Sequence, residues 1–373
     1  MSEKQEKVHP VKVWDLPTRI FHWSLVALVA IGLITGFLSP EWWMGVHLWA
    51  GYGTVLLVVF RLVWGIFGSE YSRLETFTFT PREVIAHIRE LFFLRPTHYI
   101  GHNPAGALMI FALIFILAGI TISGLLVLGG EENQGPLAGA ANYQVGDMAA
   151  DIHEALTFIL MVLIAFHIVG VFTEIHLSGE NLVRSMIDGI KRVPDAIKPP
   201  IHRDARPLAA ITTMVSFAML AGSLLWLFST MPPSGLIAMA VNEDFQRECG
   251  DCHEVYHPSL LPRASWTTLM AGLDDHFGED ASLEPDTAIV ITAHLATYGS
   301  ESWDTEAANR FRTVSPDAPI QISATPYWLR KHDDIGEATF KRKGVGGKSH
   351  CKACHRDAES GRFDDQKIKI PNE

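Results

Sequence analysis

Five apolar runs, each long enough to cross a lipid bilayer, constrain this 373-residue chain more than any other feature. A helix needs about 20 apolar residues to span the hydrocarbon core. The runs lie near residues 20–38, 46–67, 104–128, 152–173 and 208–230. No comparable run follows residue 231, and acidic residues outnumber basic ones from there on. The sequence therefore predicts five membrane helices followed by a water-soluble domain.

Lys and Arg are distributed unevenly among the loops, and this bias predicts orientation because cytoplasmic loops carry the excess of basic residues. They occur in the N-terminal arm and in the loops after the second and fourth runs, whereas residues 39–46 and 129–151 contain none. We therefore expect a multi-pass protein of the bacterial inner membrane, with a cytoplasmic N-terminus and a periplasmic C-terminal domain. The first run is interpreted as a retained signal anchor, since no cleavage motif follows it.

All four cysteines of the chain belong to two C-x-x-C-H motifs. Two thiols at this spacing reach the two vinyl groups of one porphyrin, and the adjacent histidine is the proximal ligand of the iron. Two such motifs in the predicted periplasmic domain favour covalent c-type haem over zinc sites or redox dithiols. The predicted attachment residues and proximal ligands are Cys249, Cys252 and His253, and Cys351, Cys354 and His355.

Each c-type haem also needs a distal ligand or keeps an open position. The domain offers six candidates: His257, His276, His294, His332, His350 and Met270. His257 lies too close to its own motif to reach the opposite haem face easily. His276 and His332 lie far enough from the motifs to fold over a haem.

Four histidines lie within or at the ends of the membrane runs, where ionisable residues are functional candidates. His153 and His167 are 14 residues apart (167 − 153), so they share a helix face about 21 Å apart along the axis. His22 opens the first helix on the cytoplasmic side, and His47 opens the second on the outer side. Depth therefore pairs His22 with His167 at an inner haem b, and His47 with His153 at an outer haem b. The alternative is that these histidines are ordinary hydrogen-bonded packing residues. This would explain one such histidine in the membrane better than four.

Several polar residues near the predicted cytoplasmic surface allow two interpretations of their role. Arg61 lies at the inner haem's depth, where it would pair with a propionate or snorkel to the surface. His98, His102 and Asn103 are candidates for a quinone site, although Asn103 also suits the N-cap of the third helix before Pro104. Residues 81–94 predict an amphipathic helix, either on the membrane surface or in an ordinary loop.

Residues 10–200 resemble the bacterial cytochrome b561 family, which includes the b-type subunit of nickel–iron hydrogenases. The resemblance rests on residues 13–23 (VWDLPTRIFHW), His47, residues 61–65 (RLVWG), residues 101–104 (GHNP) and the two histidines of the fourth helix. It implies the same four haem ligands that depth predicts.

Residues 245–373 resemble the periplasmic di-haem cytochrome c family. The resemblance rests on both C-x-x-C-H motifs, residues 260–262 (LLP), Trp266, residues 269–278 (LMAGLDDHFG) and residues 326–328 (PYW) with His332. It implies His276 and His332 as the distal ligands, without assigning either to a particular haem.

These observations predict an all-α protein. Residues 1–200 would form a transmembrane four-helix haem-b bundle, residues 201–240 a fifth, tethering helix, and residues 241–373 a small, mostly helical di-haem c-type domain. Two haem b and two haem c, all six-coordinate, favour electron transfer from the quinone pool to a periplasmic redox protein. The alternatives are the reverse flow, from a periplasmic donor to quinone, and reduction of a small molecule at an open c haem.

The net charge of −11 bears on partners. It argues against nucleic acid as a partner. The acidic C-terminal domain would suit a redox partner with a basic face. The sequence leaves the oligomeric state open, with a homodimer among the options.

Overall fold

The computed structural model describes residues 8–93, 97, 99–194 and 203–372, so the candidate His98 lies outside the described residues. The described helices are, in order, α1 (Leu16–Phe37), α2 (Met44–Phe67), α3 (Pro81–Phe92), α4 (Pro104–Gly130), α5 (Tyr143–Ser178), α6 (Leu182–Asp188), α7 (Pro207–Ser229), α8 (Glu243–Gly250), α9 (Arg263–Ala271), α10 (Pro285–Thr297), α11 (Glu306–Phe311), α12 (Pro326–Lys331) and α13 (Glu337–Phe340). The predicted helical fold is confirmed.

The chain forms two compact units, each assembled from separate stretches of sequence. Unit 1 contains residues 1–39, 46–124 and 151–224, as far as these are described. Unit 2 contains residues 40–45, 125–150 and 225–373, so two short segments between membrane helices group with the C-terminal residues.

Five helices, α1, α2, α4, α5 and α7, are long and apolar enough to cross a membrane. They coincide with the five predicted runs to within a few residues, except that α5 is longer. With 36 residues, α5 is about 54 Å long, which exceeds the hydrocarbon thickness of a bilayer. The sequence underestimated α5 because its first turns, with Asp147 and Asp151, are too polar to count as a membrane run.

Four of these helices share one apolar core in unit 1. Val58 of α2, Ile116 and Leu117 of α4 and Leu160 of α5 are buried together, and Leu25 of α1 packs against them. Outside this core, large apolar side chains remain exposed, such as Phe115, which is 76% exposed. An apolar exterior around an apolar core is the pattern of a bundle whose surroundings are lipid.

Helix α7 contributes to a different cluster, in which Ala210 is buried against Val63 and Trp64 of α2. Most of its other apolar side chains are exposed, including Leu208, which is 80% exposed. Within unit 1, α7 therefore lies outside the four-helix core.

Local capping residues decide where two helices begin. The Asn103 side chain accepts a hydrogen bond from the Gly106 backbone N–H at 2.7 Å, and Pro104 is the first residue of α4, as expected from the sequence. The predicted amphipathic helix is α3, which starts with a capping box between Thr80 and Glu83. Each cap satisfies backbone N–H groups that have no partner inside the helix.

The sequence analysis did not anticipate a small antiparallel sheet in unit 1. Strand β1 (Val8–Lys12) pairs with strand β2 (Ile190–Pro194), with Val11 opposite Lys191. Gly189 ends α6 with a φ of +84°, a left-handed conformation that glycine adopts without steric cost. Such short strands, far apart in sequence, lack the long alternation that would reveal them.

Unit 2 has two buried apolar clusters. The first packs against Cys249 and contains Phe245, Leu261, Trp266, Ile291 and Leu295. The second packs against Phe340 and Phe363 and contains Leu260, Ala307, Phe311 and Trp328. Each cluster supports one C-x-x-C-H region, so the small domain has two centres of packing rather than one.

The predicted tether after α7 is held by hydrogen bonds within unit 2. The Ser234 backbone N–H donates to the Ala138 carbonyl at 2.9 Å, and the Ser234 hydroxyl donates to the Ala141 carbonyl at 2.7 Å. The Asp304 N–H donates to the Gly235 carbonyl at 3.2 Å. Ser234 and Gly235 are therefore held within unit 2 by these hydrogen bonds.

Candidate haem sites

In unit 1, the four predicted haem-b histidines lie in two facing pairs. The ring centroids of His22 in α1 and His167 in α5 are 6.5 Å apart. Those of His47 in α2 and His153 in α5 are 6.1 Å apart. The structure therefore brings together the same residues that the depth argument pairs.

In unit 2, each C-x-x-C-H histidine faces one of the distal candidates. The His253 and His276 ring centroids are 6.2 Å apart. The His355 and His332 ring centroids are 6.0 Å apart. The sequence left the pairing open. In the structure His276, which follows its motif, faces His253, and His332, which precedes its motif, faces His355.

All four separations fit an iron ion between two imidazoles. A metal–nitrogen bond to imidazole is about 2 Å long and the ring centroid lies roughly 1 Å beyond the nitrogen, so two axial imidazoles place their centroids about 6 Å apart. Rings in direct contact would range more widely, over about 4.5–7 Å. The observed range of 6.0 to 6.5 Å over four separate pairs fits two axial ligands of one haem in each case.

Hydrogen bonds orient the rings of the pair His47 and His153 in unit 1. His153 Nδ1–H donates to the Ile120 carbonyl at 3.0 Å. The Thr35 hydroxyl donates to the Ile31 carbonyl at 2.7 Å, so it accepts from His47 Nδ1–H at 3.0 Å. With Nδ1 protonated, Nε2 of each ring is the nitrogen that is free to bind a metal.

Glycines allow these two rings to lie against neighbouring helices. A β-carbon at Gly36 would lie 3.5 Å from Cε1 of His47, and one at Gly124 would lie 3.1 Å from Cε1 of His153. Larger side chains at these positions would collide with the rings. The sequence gave no signal for the contact at Gly124.

The pairs in unit 2 are held in a comparable way. His253 Nδ1–H donates to the Glu254 carbonyl at 2.7 Å. His332 Nδ1–H donates to the Trp328 carbonyl at 2.9 Å, and the His332 ring stacks on the Trp328 ring at 4.3 Å. The ring of His355 lies 5.2 Å from that of Phe363. Backbone acceptors and aromatic neighbours thus fix the orientation of these imidazole rings without help from a metal.

The two C-x-x-C-H regions are connected to each other. The Glu254 carboxylate accepts the backbone N–H of Lys352 at 3.2 and 3.3 Å. The Tyr256 hydroxyl donates to the Ser349 carbonyl at 2.6 Å. The residue that follows the first motif histidine therefore contacts the backbone inside the second motif, and the sequence gave no sign of this link.

Glu254 offers a test of this link. In the wild type, the negative charge of Glu254 would stabilise the oxidised, more positive iron. We therefore expect Glu254→Ala, which removes this charge, to raise the midpoint potentials of the c-type haems by tens of millivolts. It should also lower the stability of the C-terminal domain by about 1 kcal/mol through the lost hydrogen bond. Redox titration and thermal unfolding measure these effects. Glu254→Gln keeps an acceptor oxygen and should shift only the potentials; equal loss of stability in both variants would contradict the role of the bond.

Asp15 links the predicted cytoplasmic ends of α1 and α2. Its carboxylate caps α1 by accepting the Thr18 N–H at 2.9 Å. It also accepts Trp64 Nε1–H at 3.0 Å, and the hydroxyls of Ser69 and Ser72 at 2.7 and 3.0 Å. Asp15 and Trp64 belong to two of the motifs that carry the b561 resemblance, residues 13–23 and 61–65, and the hydrogen bond between them joins these motifs.

Arg61 does not extend to solvent. It is 4% exposed, its guanidinium donates to the Ser72 carbonyl at 3.0 Å, and it lies over the Phe77 ring at 5.3 Å. These contacts argue against the snorkelling alternative. A role beside a haem propionate stays a prediction.

His102 is enclosed by aromatic rings at the start of α4. Its ring lies 4.6 Å from that of Trp14 and 4.2 Å from that of Phe77. Burial, together with the positive charges of Arg61 and Lys191, lowers the pKa of His102 to about 3, so the ring is neutral at physiological pH. Its Nδ1 is buried without a hydrogen-bond partner in the described part of the chain.

Two of the other histidines that the sequence offered as distal candidates are packing residues. His257 is 5% exposed, its Nδ1 lies 2.8 Å from the Ser259 hydroxyl, and burial lowers its pKa to about 4. His294 lies between the rings of Phe245 and Tyr298, at 5.3 and 5.0 Å. Their environments are those of buried core side chains.

A cluster of titratable side chains in unit 2 includes the two carboxyls that directly follow α4, those of Glu131 and Glu132. Arg310 Nη2 lies 2.7 Å from an Asp147 carboxylate oxygen and 4.0 Å from one of Glu131. Burial, reinforced by Glu306 and Asp147, raises the pKa of Glu131 to about 7. Burial also raises the pKa of Glu132. The single positive charge of Arg310 therefore cannot neutralise all the carboxyls of this cluster.

A helical membrane bundle with facing histidines, continued by a domain with two C-x-x-C-H motifs, defines a membrane-bound electron-transfer cytochrome. Residues 13–189 match the family model for prokaryotic cytochrome b561, and residues 245–363 match that for dihaem cytochrome c. The chain belongs to the prokaryotic cytochrome b561 family over the first range and to the dihaem cytochrome c family over the second. The families imply b-type haem in the membrane part and c-type haem in the C-terminal part.

Individual relatives match one part of the chain each. The probable Ni/Fe-hydrogenase 1 B-type cytochrome subunit of Escherichia coli K12 is 26% identical over 224 residues, which cover 51% of this chain and 94% of the relative. The corresponding subunit of Cupriavidus necator is 26% identical over 219 residues, with 49% and 87% coverage. The diheme cytochrome c structure from Rhodobacter sphaeroides is 36% identical and covers 34% of this chain and 98% of its own, with a TM-score of 0.29.

Proposed function

We propose that this protein carries electrons across the bacterial inner membrane between the quinone pool and a periplasmic redox protein. The observation that carries the proposal is the separation of 6.0 to 6.5 Å in all four histidine pairs. The ligand pairs would be His22 with His167 (inner haem b), His47 with His153 (outer haem b), His253 with His276 and His355 with His332 (haem c). When bound, these haems supply one-electron centres without an open coordination position.

The chain's own residues supply orientation and insulation. Backbone and hydroxyl acceptors fix the imidazole rings of His47, His153, His253 and His332, which limits reorganisation around the metal. In unit 1, the apolar core beside the histidine pairs excludes water and lowers the local dielectric constant. Both effects favour repeated electron transfer over bond-making chemistry.

Quinol oxidation with outward electron flow is the direction that we favour. The basic loops support a cytoplasmic N-terminus, which would place His22 and His167 on the inner side and the acidic C-terminal domain in the periplasm. A quinone site beside His22 and His167 would lie near His102. The enclosed His102 ring would pack behind the residues that line this site.

The direction can be tested by adding a short-chain quinol to the purified protein under anaerobic conditions. The visible bands of b-type and c-type haem are recorded separately. We expect both bands to be reduced, with the b band leading. Should quinol reduce neither band while dithionite then reduces both, outward flow from quinol is excluded and the reverse direction becomes the better reading.

Reverse flow is the second candidate function. The Escherichia coli and Cupriavidus necator relatives are named as B-type cytochrome subunits of Ni/Fe-hydrogenases, which favours a periplasmic donor and quinone as acceptor. Reduction of a small molecule at an open c haem has less support, because both motif histidines already face a second imidazole at about 6 Å.

A further inference from the structure

The turn that carries His276 has an aromatic side chain at its tip. His276 and Glu279 exchange backbone hydrogen bonds of 2.8 and 3.3 Å, which closes a tight turn over Phe277 and Gly278. The Phe277 side chain is 60% exposed, and its ring lies 5.0 Å from the ring of His276. A large apolar side chain is thus presented next to one candidate haem ligand.

Turn geometry does not explain why a phenylalanine stands there. Phe277 and Gly278 have φ angles of +55° and +93°. A tight turn with positive φ at both central residues favours Asn, Asp or Gly, and a bulky residue at such a position is an outlier. The ring itself is therefore the feature that needs a function.

The surroundings of this ring are strongly acidic. Between Arg263 and Arg310 the sequence has nine acidic residues and neither Lys nor Arg. The exposed carboxyls on the turn itself are those of Asp274, Asp275, Glu279 and Asp280. An apolar contact inside an acidic rim is complementary to a protein surface with an apolar contact inside a basic rim.

The other c-type site is oriented differently within unit 2. Near His355, Arg362 donates to the Asn133 carbonyl at 3.2 Å, and the side-chain amides of Gln366 and Gln134 are bonded at 3.1 Å. The second site therefore adjoins the segment that follows membrane helix α4. In contrast, the hydrogen bonds made by described residues 272–284 run only to residues 269–288.

This arrangement gives the two c-type sites an order. The second site lies next to the segment that leaves the membrane helix, and the Glu254–Lys352 bond joins it to the first site. The first site includes His276, which lies on the exposed turn. Electrons that pass through both sites would therefore be exchanged with a soluble protein at the first.

We propose that the acidic turn, defined as Asp274, Asp275, Phe277, Glu279 and Asp280, docks a soluble periplasmic electron-transfer protein with a basic rim around an apolar contact. The proposal rests on the proposed function, which requires such a partner. In the outward direction, one electron leaves the chain and reduces the oxidised partner by one electron, with no bond made or broken.

The charge contribution can be measured by stopped flow with full-length protein in detergent. The chain is reduced with dithionite and mixed with an oxidised basic blue-copper protein as the probe. We expect Asp274→Asn/Asp275→Asn to lower the second-order rate constant roughly three- to tenfold at low ionic strength, and much less at high salt. The matched control is Asp333→Asn/Asp334→Asn, an exposed aspartate pair that directly follows His332, and it should leave the rate constant near that of the wild type.

The result that would overturn the proposal is the opposite pattern, with the control pair slowing the reaction and the Asp274/Asp275 pair leaving it unchanged. Equal rates in all variants would overturn it as well. Since dithionite supplies the electrons, a failure of quinol to reduce the protein would leave this experiment interpretable. The two proposals can therefore fail independently.

The role of the ring is tested with Phe277→Asn, because asparagine tolerates the left-handed turn and lacks the ring. We expect a severalfold lower rate constant that persists at high salt, with an unchanged c-type spectrum and unchanged midpoint potentials. If the variant instead alters the spectrum or potential and leaves the rate constant as in the wild type, the ring packs on a haem and the docking role is wrong.

Discussion

Replacing His153 with alanine is expected to remove about half of the b-type haem and to stop electron flow from quinol to the c-type haems. His153 faces His47 at 6.1 Å, and no other histidine of unit 1 pairs with His47 in the described residues. Loss of one of the haem's two iron ligands should lower the rate of c-haem reduction at least about 100-fold, since even loss of a residue that hydrogen-bonds to a metal ligand costs about 10- to 100-fold. The c-type haem content should not change. Haem content from the pyridine haemochrome spectrum and stopped-flow reduction by quinol check both parts.

His102→Phe serves as the control for haem content. It removes an imidazole that lies between Trp14 and Phe77 and keeps the aromatic packing. Both b-type haems should therefore be retained. Full b-type haem in the His153→Ala protein, or loss of haem in the control, would falsify the ligand assignment in the membrane bundle.

Unit 2, which contains Glu131, should become less stable as the pH rises from about 5 to 8, and Glu131→Gln should flatten this dependence. Burial raises the pKa of Glu131 from its ordinary value of 4.5 to about 7. The folded state therefore binds more protons than the unfolded state between these pH values. The stabilising contribution is complete below about pH 4.5 and is lost as the pH rises through about 7.

The expected size of this effect is about 2–3 kcal/mol, because each pKa unit is worth about 1.4 kcal/mol and the Glu131 side chain keeps some exposure. Glu132, whose pKa is raised in the same direction by burial, adds to it. Thermal unfolding of the full-length protein, followed by near-ultraviolet circular dichroism between pH 5 and 8, measures the dependence. Glu284→Gln, at an exposed carboxyl, should leave the slope as in the wild type. A slope that is the same in the Glu131→Gln protein would show that this carboxyl is not responsible.

The membrane helices follow from the sequence because a lipid environment demands one simple pattern. About 20 consecutive apolar residues are needed wherever the helix lies, and no tertiary contact can replace them. The predicted runs therefore match α1, α2, α4 and α7 closely. The polar start of α5 escaped the prediction because its residues belong to unit 2 and are stabilised by contacts such as that between Asp147 and Arg310.

The pairing of histidines shows where local reasoning ends. In unit 1, a straight helix converts sequence separation into depth, so His22 and His47 could be matched to His167 and His153 without a structure. In unit 2, short helices and turns break that relation. One distal candidate, His276, follows its motif, whereas His332 precedes its own, and only the folded chain brings each to about 6 Å.

The sequence by itself determined the five spans, the two covalent attachment motifs and the predicted depth of the membrane histidines, because each depends on spacing along one local element. The tertiary structure decided which distal candidate faces which motif, and it placed His257 and His294 in the core instead. It also brought Asp15 to Trp64, Glu254 to Lys352 and Glu131 to Arg310. These contacts join residues that are far apart in the chain, so their free energy depends on loop closure and packing, which no periodicity records.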